Sequence, residues 1–346
     1  MSQGVVLGGL GVILALVFVL PFVSKKVEHN LEAFLFVMGL AAAILSGVLD
    51  RELAVKALEE PLPITAAVLG AGLLFKFTKD LVRTGIRAFV RRVPLSLFIF
   101  LVVVVLGLVS SVITAIIAAL VLVEIISALS LDRRHETDLV ILACFSIGLG
   151  AALTPIGEPL ATIAVSKLGQ SFWYLARLLG LYIGTGVLAL GVFAAVYVRR
   201  HAVEVGGEAG LGVPAEPDTY REVVVRGLKV YVFVMALVLL GEGFRPVIDL
   251  YVVGLPSQVL YWINTVSAVL DNATLTAAEI SPAMSSLQVE SILLGLLISG
   301  GMLIPGNIPN IIAAGKLKIR SREWARLGVP LGLALLVVYF VVIFVL

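Results

Sequence analysis

Five polar side chains lie within ten residues of one otherwise apolar segment. They are Ser267, Asp271, Asn272, Thr274 and Thr276. Carboxylate, amide and hydroxyl oxygens can replace the water shell of a hard cation such as Na⁺. A carboxylate inside a membrane segment is costly and is by default a functional group, whereas serine and threonine can also serve only to link helices. We therefore predict a small-cation site here, with Asp271 and Asn272 as the sodium ligands.

The chain contains two similar patterns of polar residues, each followed by an interrupted apolar run. The first pattern starts at Ser110, ends at Glu124 and is followed by a break at TPIGEP (154–159). The second ends at Glu279 and is followed by a break at IPGNIPN (304–310). Paired Gly/Pro-interrupted segments at matching places in two halves of a chain are typical of transporter binding sites. The interruptions add Glu158, Asn307 and Asn310 to the predicted ligands.

Three more carboxylates accompany these patterns. Glu158 lies inside the first interruption, where a ligand, a proton carrier or a helix cap is expected. Glu124 and Glu279 occupy matching places in the two patterns, which favours a shared role, either structural or in proton handling. A carboxylate that cannot hold a cation and a proton together exchanges one for the other. The candidates for proton coupling are therefore Asp271, Glu158, Glu279 and Glu124.

The composition predicts an all-α polytopic membrane protein. Of the 346 residues, 60% are hydrophobic and 14% are charged, and several apolar runs are long enough to cross about 30 Å of hydrocarbon. The lipid bilayer is thus the expected surrounding. The net charge of +2 gives no reason to expect nucleic acid as a partner, because the basic residues lie in short connecting segments. Cys144 is the only cysteine, so an intrachain disulfide is excluded, and we expect no cofactor.

The placement of charge predicts the topology. The basic segment 76–92 is expected on the cytoplasmic side, which places both termini outside. About eight spans and two re-entrant hairpins follow, arranged as two inverted repeats. The first part of the chain comprises N-terminal helices at 1–61 and a first repeat at 62–198, with a hairpin at 94–130 and a broken helix at 138–168. A cytoplasmic linker at 199–222 precedes the second repeat at 223–346, with a hairpin at 257–284 and a broken helix at 287–317.

At SAVLDNATLTAAE (267–279), TPIGEP and IPGNIPN, the sequence resembles the ion transporter superfamily of D-type sodium/proton antiporters, arsenite exporters and divalent-anion/sodium symporters. It is most similar to an uncharacterised prokaryotic group of predicted cation transporters. The resemblance covers about residues 60–346. It implies a homodimer of inverted repeats with an elevator-like motion. It also implies that Asp271 and Asn272 bind cations or exchange protons, and that the site is lined by Thr154, Pro155, Gly157, Asn307 and Asn310.

The chain departs from this family in its first half. The first hairpin tip reads Ser-Ser-Val-Ile-Thr (110–114) and has neither Asn nor Asp, so a second cation site there stays open. Glu158 stands where relatives often carry a small or amide residue, which makes the site more anionic.

The sign of the charge at the predicted site favours a cation. The interruptions contain no Arg or Lys, which an anion site would be expected to place there. We therefore expect a sodium/proton antiporter of the plasma membrane. The alternative is a sodium- or proton-coupled anion carrier, for a dicarboxylate or an arsenite-like anion, in which Asp271 binds only the coupling ion. An intramembrane hydrolase would need motifs that the sequence lacks, so we do not expect an enzyme.

Overall fold

The computed structural model describes residues 3–24, 26–27, 30–62, 65–66, 69–70, 93–201, 203, 220–252, 254–268 and 272–346. All regular structure in these ranges is helical, as the composition predicts. The predicted cytoplasmic segment 76–92 and most of the predicted linker 199–222 lie outside the described residues.

The helices follow one another in three groups along the chain. The N-terminal helices are α1 (Gln3–Val23), α2 (Leu31–Ser46) and α3 (Arg51–Glu59). A group of five follows: α4 (Leu95–Ile113), α5 (Ala115–Leu129), α6 (Arg133–Ala151), α7 (Pro159–Lys167) and α8 (Tyr174–Arg200). The long helix α9 (Tyr220–Val247) continues into a π-helical turn at Ile248–Val252. The last five are α10 (Ser257–Ile263), α11 (Asn272–Glu279), α12 (Ser286–Gly300), α13 (Ile308–Leu317) and α14 (Ser321–Phe344).

Four of these helices are long and apolar enough to cross a membrane. They are α4, α8, the part of α9 from Gly227 to Val247, and α14. Helix α4 has 19 residues, so it is long enough to cross alone, although the sequence assigned it to a re-entrant hairpin. Helix α5 begins directly after α4. Thr114, the residue between them, adopts a φ of 77°, which ends α4.

The described helices pack in two groups. Helices α4 to α8 and α10 to α14 share one large apolar core, to which Leu237 of α9 also belongs. Helices α1, α2, α3 and α9 are held together by two smaller apolar clusters. Helix α9 packs against α2 and α3 and also against α11. It therefore connects the two groups.

Within the larger group, helices from the two halves of the chain exchange partners. Helix α4 packs against α6 and α8, and the shorter α10 packs against α12 and, over fewer residues, against α14. In addition, α5 packs against α13, and α11 packs against α7. The short helix after each interruption thus contacts a helix from the other half.

Small residues allow the helices before each interruption to approach closely. Gly150 on α6 lies against the Gly107 carbonyl oxygen of α4, to which a Cβ at Gly150 would approach within 1.7 Å. Gly295 on α12 lies likewise against Tyr261 of α10, where a Cβ would come within 2.6 Å of the carbonyl oxygen. Such close crossings are typical of helices packed in a membrane. They hold the ends of α6 and α12 in fixed positions, and both interruptions begin at these ends.

Candidate functional site

The first interruption separates α6 from α7 and contains Glu158. Glu158 occupies the N-cap position of α7 with extended backbone angles (φ −155°, ψ 160°), but its side chain makes no capping hydrogen bond. Pro159 follows at the first helical position, where its missing N–H is not needed. Glu158 is only 4% exposed. The structure therefore gives no support to the capping role that the sequence left open for this carboxylate.

The second interruption separates α12 from α13 and contains Asn307 at the corresponding N-cap position. Asn307 is also extended (φ −151°, ψ 145°), is 1% exposed and makes no capping hydrogen bond. Its amide lies against Gly148 of α6, where an added Cβ would come within 2.4 Å of Nδ2. Its Oδ1 has no hydrogen-bond partner among the described residues. The second interruption is thus in contact with the helix that leads into the first.

Asn310 spans the second interruption. Its Nδ2 donates hydrogen bonds of 2.9 Å to the carbonyl oxygens of Gly300 and Leu303, at the break that follows α12. Both amide hydrogens are therefore used, and Oδ1 is left buried without a partner in the described structure. The sequence predicted Asn310 only as a ligand. Its amide nitrogen is in fact structural, and only its oxygen is available to bind an ion.

Thr154 and Gly157 join the first interruption to the turn between α4 and α5. The Thr154 hydroxyl donates to the Ser111 carbonyl oxygen at 2.5 Å. The Gly157 carbonyl oxygen accepts from the Ala115 N–H at 2.7 Å. A Cβ at Gly157 would come within 1.9 Å of a backbone oxygen of Ala151, so only glycine fits without a shift of the chain. Both residues position the interruption by these contacts.

The predicted cation ligands are only partly described. Asp271 lies outside the described residues, as do the side chains of Ser267 and Thr274. Asn272 begins α11 and is 2% exposed, and its Nδ2 has no partner among the described residues. The Thr276 hydroxyl donates to the Asn272 carbonyl oxygen at 2.8 Å, one turn earlier in the same helix. The Thr276 proton is therefore used within α11.

Two further carboxylates are buried on the helices that lead away from these segments. Glu124 on α5 is 3% exposed, and Glu279 at the end of α11 is 8% exposed. Asn264, which is fully buried, is a hydrogen-bonding neighbour of the Glu279 carboxyl group. Asn264 was not among the site residues predicted from the sequence. The sequence feature that could have indicated it is the concentration of asparagines in the second half of the chain, where four of the five occur.

Contacts at one end of the larger group join helix ends that the charge pattern predicts to be cytoplasmic. Arg133, at the start of α6, donates to the Lys318 carbonyl oxygen at 2.7 Å and pairs with Glu323 at 2.8 Å. Asp138, on the same helix, accepts a hydrogen bond of 2.6 Å from Tyr197 near the end of α8. The start of α6, the end of α13, the start of α14 and the end of α8 therefore share one side of the protein.

A second set of contacts joins helix ends that the charge pattern predicts to lie outside. Lys167, at the end of α7, donates to the carbonyl oxygens of Ala277 on α11 at 2.7 Å and Gly241 on α9 at 3.4 Å. Lys56 on α3 pairs with Glu242 on α9 at 3.3 Å. These contacts lie where the two packing groups meet.

Long apolar helices, with buried polar groups gathered at two helix interruptions, are the features of a helical membrane protein. Among the described residues, no group of three or more His, Cys, Asp or Glu side chains could hold a metal ion. The chain belongs to the family described as protein of unknown function DUF1646, whose model matches residues 7–346. No curated protein matches the sequence.

Proposed function

We propose that this protein is a secondary transporter of the plasma membrane that exchanges Na⁺ for protons, with both termini outside. The observation that carries the proposal is the pair of buried helix interruptions. Glu158 and Asn307 occupy the two N-cap positions, yet neither side chain caps its helix. The buried Asn307 Oδ1 has no partner among the described residues, although buried polar groups are normally satisfied, and a buried intramembrane carboxylate such as Glu158 is by default functional. These side chains, which are not used to cap the helices, are therefore suited to bind an ion.

Two observations support an inverted-repeat architecture with re-entrant hairpins. The packing of α4 with α6 and α8 corresponds to that of α10 with α12 and α14. The polar side chains at the turn between α4 and α5, Ser110, Ser111 and Thr114, are buried, whereas the apolar Val112 among them is exposed. A turn buried at membrane depth is what a re-entrant hairpin requires, because its open backbone groups must not face lipid.

The polar atoms favour a cation over an anion. Asn307 and Asn310 each keep a buried amide oxygen without a donor in the described structure, and Glu158 adds a buried carboxylate. Oxygen atoms of these kinds are the ligands that a hard cation takes. A proton on Glu158 or Asp271 would lower the affinity for the cation, which is the exchange that an antiporter needs.

One observation favours the alternative, a sodium- or proton-coupled anion carrier. Asn272 keeps a buried Nδ2 without a partner among the described residues. In addition, α7 and α13 start at the interruptions, and helix N-termini attract anions. In this second candidate, the anion binds the Asn272 amide and the helix N-termini, while Asp271 holds the coupling ion.

The two packing groups suggest how the site changes sides. Helices α4 to α8 and α10 to α14 would move as one body past α1 to α3 and α9. The contacts of α9 with α11 would be the sliding interface. Two copies of the chain would provide a fixed frame through the second group.

Transport by the purified protein in liposomes tests the proposal. A pH-sensitive dye is enclosed, and Na⁺, K⁺, Li⁺, Mg²⁺ or Ca²⁺ is added outside in turn, with protein-free liposomes as the control. Proton movement driven by Na⁺ is the expected result. If succinate or arsenite drives proton movement and none of the cations does, the anion carrier is the correct function and the antiporter is wrong.

A further inference from the structure

Glu279 and Asn264 form a buried polar pair at the base of the segment from α10 to α11. Glu279 is the last residue of α11, and Asn264 begins the 3₁₀ turn that follows α10. Glu279 is 8% exposed and Asn264 is 0% exposed. The two side chains are hydrogen-bonding neighbours. Neither residue belongs to the helix interruptions.

Asn264 is held in one orientation by its surroundings. Its Nδ2 donates to the Leu260 carbonyl oxygen at 2.8 Å, one turn earlier in the chain. Its own carbonyl oxygen accepts a hydrogen bond of 2.6 Å from the Ser299 hydroxyl on α12. The nitrogen and oxygen of the amide are therefore assigned by their contacts. Oδ1 is left buried, with no hydrogen-bond partner among the described residues.

Glu279 also has a buried oxygen atom without a hydrogen-bond donor. Its Oε2 is buried and has no hydrogen-bond partner in the described part of the chain. Each member of the pair thus keeps one oxygen atom that needs a donor. Unsatisfied buried acceptors are rare in proteins and call for an explanation.

Charged groups lie on the neighbouring helices, but no ion pair among the described residues neutralises the Glu279 carboxylate. Lys167 on α7 donates to the carbonyl oxygens of Ala277 and Gly241. On α9, Arg245 and Glu242 pair with each other at 3.7 Å, and Glu242 also pairs with Lys56 of α3. Glu290 on α12 is a hydrogen-bonding neighbour of Tyr182. The position of Glu279 at the C-terminal end of α11 further disfavours a negative charge.

We propose that Glu279 and Asn264 form a proton-binding site, in which a neutral Glu279 carboxyl group donates a hydrogen bond to the Asn264 amide oxygen. A single proton on Oε2 removes the buried charge and supplies the missing donor. A carboxylic acid and a primary amide can also form two hydrogen bonds with each other, N–H to one carboxyl oxygen and O–H to the amide oxygen. The proton replaces both missing interactions at once.

The site is distinct from the predicted cation ligands and does not depend on the proposed transport function. It is connected to the second interruption through Ser299, which precedes the last residue of α12 and binds the Asn264 backbone. Loss of the proton would leave a buried anion next to this contact. The protonation state of Glu279 is therefore in a position to influence the geometry of the interruption.

Infrared spectroscopy of the purified protein in detergent tests the proposal without any transport measurement. The C=O stretch of a protonated carboxylic acid is recorded at pH 7 for the wild type and for Glu279→Gln, with the exposed Glu52→Gln as the matched control. We expect a band that is lost only in Glu279→Gln. In Asn264→Ala the same band should shift in frequency, because the carboxyl group loses its acceptor.

Identical spectra of the wild type and Glu279→Gln in this region would show that Glu279 is ionised, and the proposal would be wrong. A band that disappears in Glu279→Gln but keeps its frequency in Asn264→Ala would remove Asn264 from the site. Should Glu279→Gln fail to fold, Glu279→Asp retains an acid at a shorter reach, and its band must shift relative to the wild type. An unshifted band would overturn the assignment. Failure of the liposome assay leaves these outcomes unaffected.

Discussion

Gly150 of α6 touches the backbone of Gly107 on α4 so closely that a Cβ at position 150 would come within 1.7 Å of the Gly107 carbonyl oxygen. A backbone atom cannot rotate away as a side chain can. The pair therefore fixes the distance between α6, which ends at the first interruption, and α4.

We expect Gly150→Ala to destabilise the protein by about 1–3 kcal/mol, because the methyl group forces the two helices apart. Gly180 on α8 is the matched control, since a Cβ there has no heavy atom within 4 Å. Gly180→Ala should be neutral or stabilise the protein by up to about 1 kcal/mol. Thermal unfolding in detergent, followed by labelling of the buried Cys144 thiol, measures both changes. Equal midpoints for the two variants would contradict the close approach.

Asp271→Asn should abolish cation-coupled proton movement while the protein remains folded. The substitution removes both the strongest predicted ligand and the exchangeable proton. The measurement is the liposome assay with a pH dye, combined with gel filtration of the variant. Glu52→Gln, which changes an exposed carboxylate on α3, should transport like the wild type. Normal transport by Asp271→Asn would remove Asp271 from the mechanism.

Glu158→Gln should weaken cation binding and move the pH profile of transport toward lower pH. If Glu158 and Asp271 face one cavity, each raises the proton affinity of the other when no cation is bound. Removing the Glu158 charge lets Asp271 lose its proton more readily, so activity begins at a lower pH. Transport measured against pH and Na⁺ concentration tests this prediction. An unchanged profile would exclude Glu158 from the site, whereas tighter binding of an anion would favour the anion carrier.

The orientation in the membrane can be tested with single cysteines in a Cys144→Ala background. A cysteine at Gly207, in the predicted cytoplasmic linker outside the described residues, should be protected from impermeant thiol reagents added to intact cells. A cysteine added after Leu346 should react. The reverse pattern would invert the predicted orientation, and reaction at both positions would change the number of spans.

The sequence predicts the helical class and the location of the helix breaks because both depend on local properties. Long apolar runs require helices in a membrane, and the paired prolines at 155 and 159 and at 305 and 309 remove backbone N–H donors and favour a break. The roles of individual polar residues depend on distant contacts and could not be predicted in this way. The Asn310 amide proved to join Gly300 and Leu303, and Thr154 proved to bind the α4–α5 turn. Both had been predicted only as parts of the binding site.

The exchange of partners between the halves affects how the chain is made. Helix α5 ends at Leu129, but α13, against which it packs, begins only at Ile308. At roughly 5–20 residues per second, the ribosome needs on the order of ten seconds or more to deliver that partner. Until then, Ile116 and Leu120 of α5 lack the apolar partners Ile308 and Ile312 that α13 supplies. The first half of the chain must therefore be inserted before its helix packing is complete. A chain truncated before α13 should be a substrate for membrane quality control.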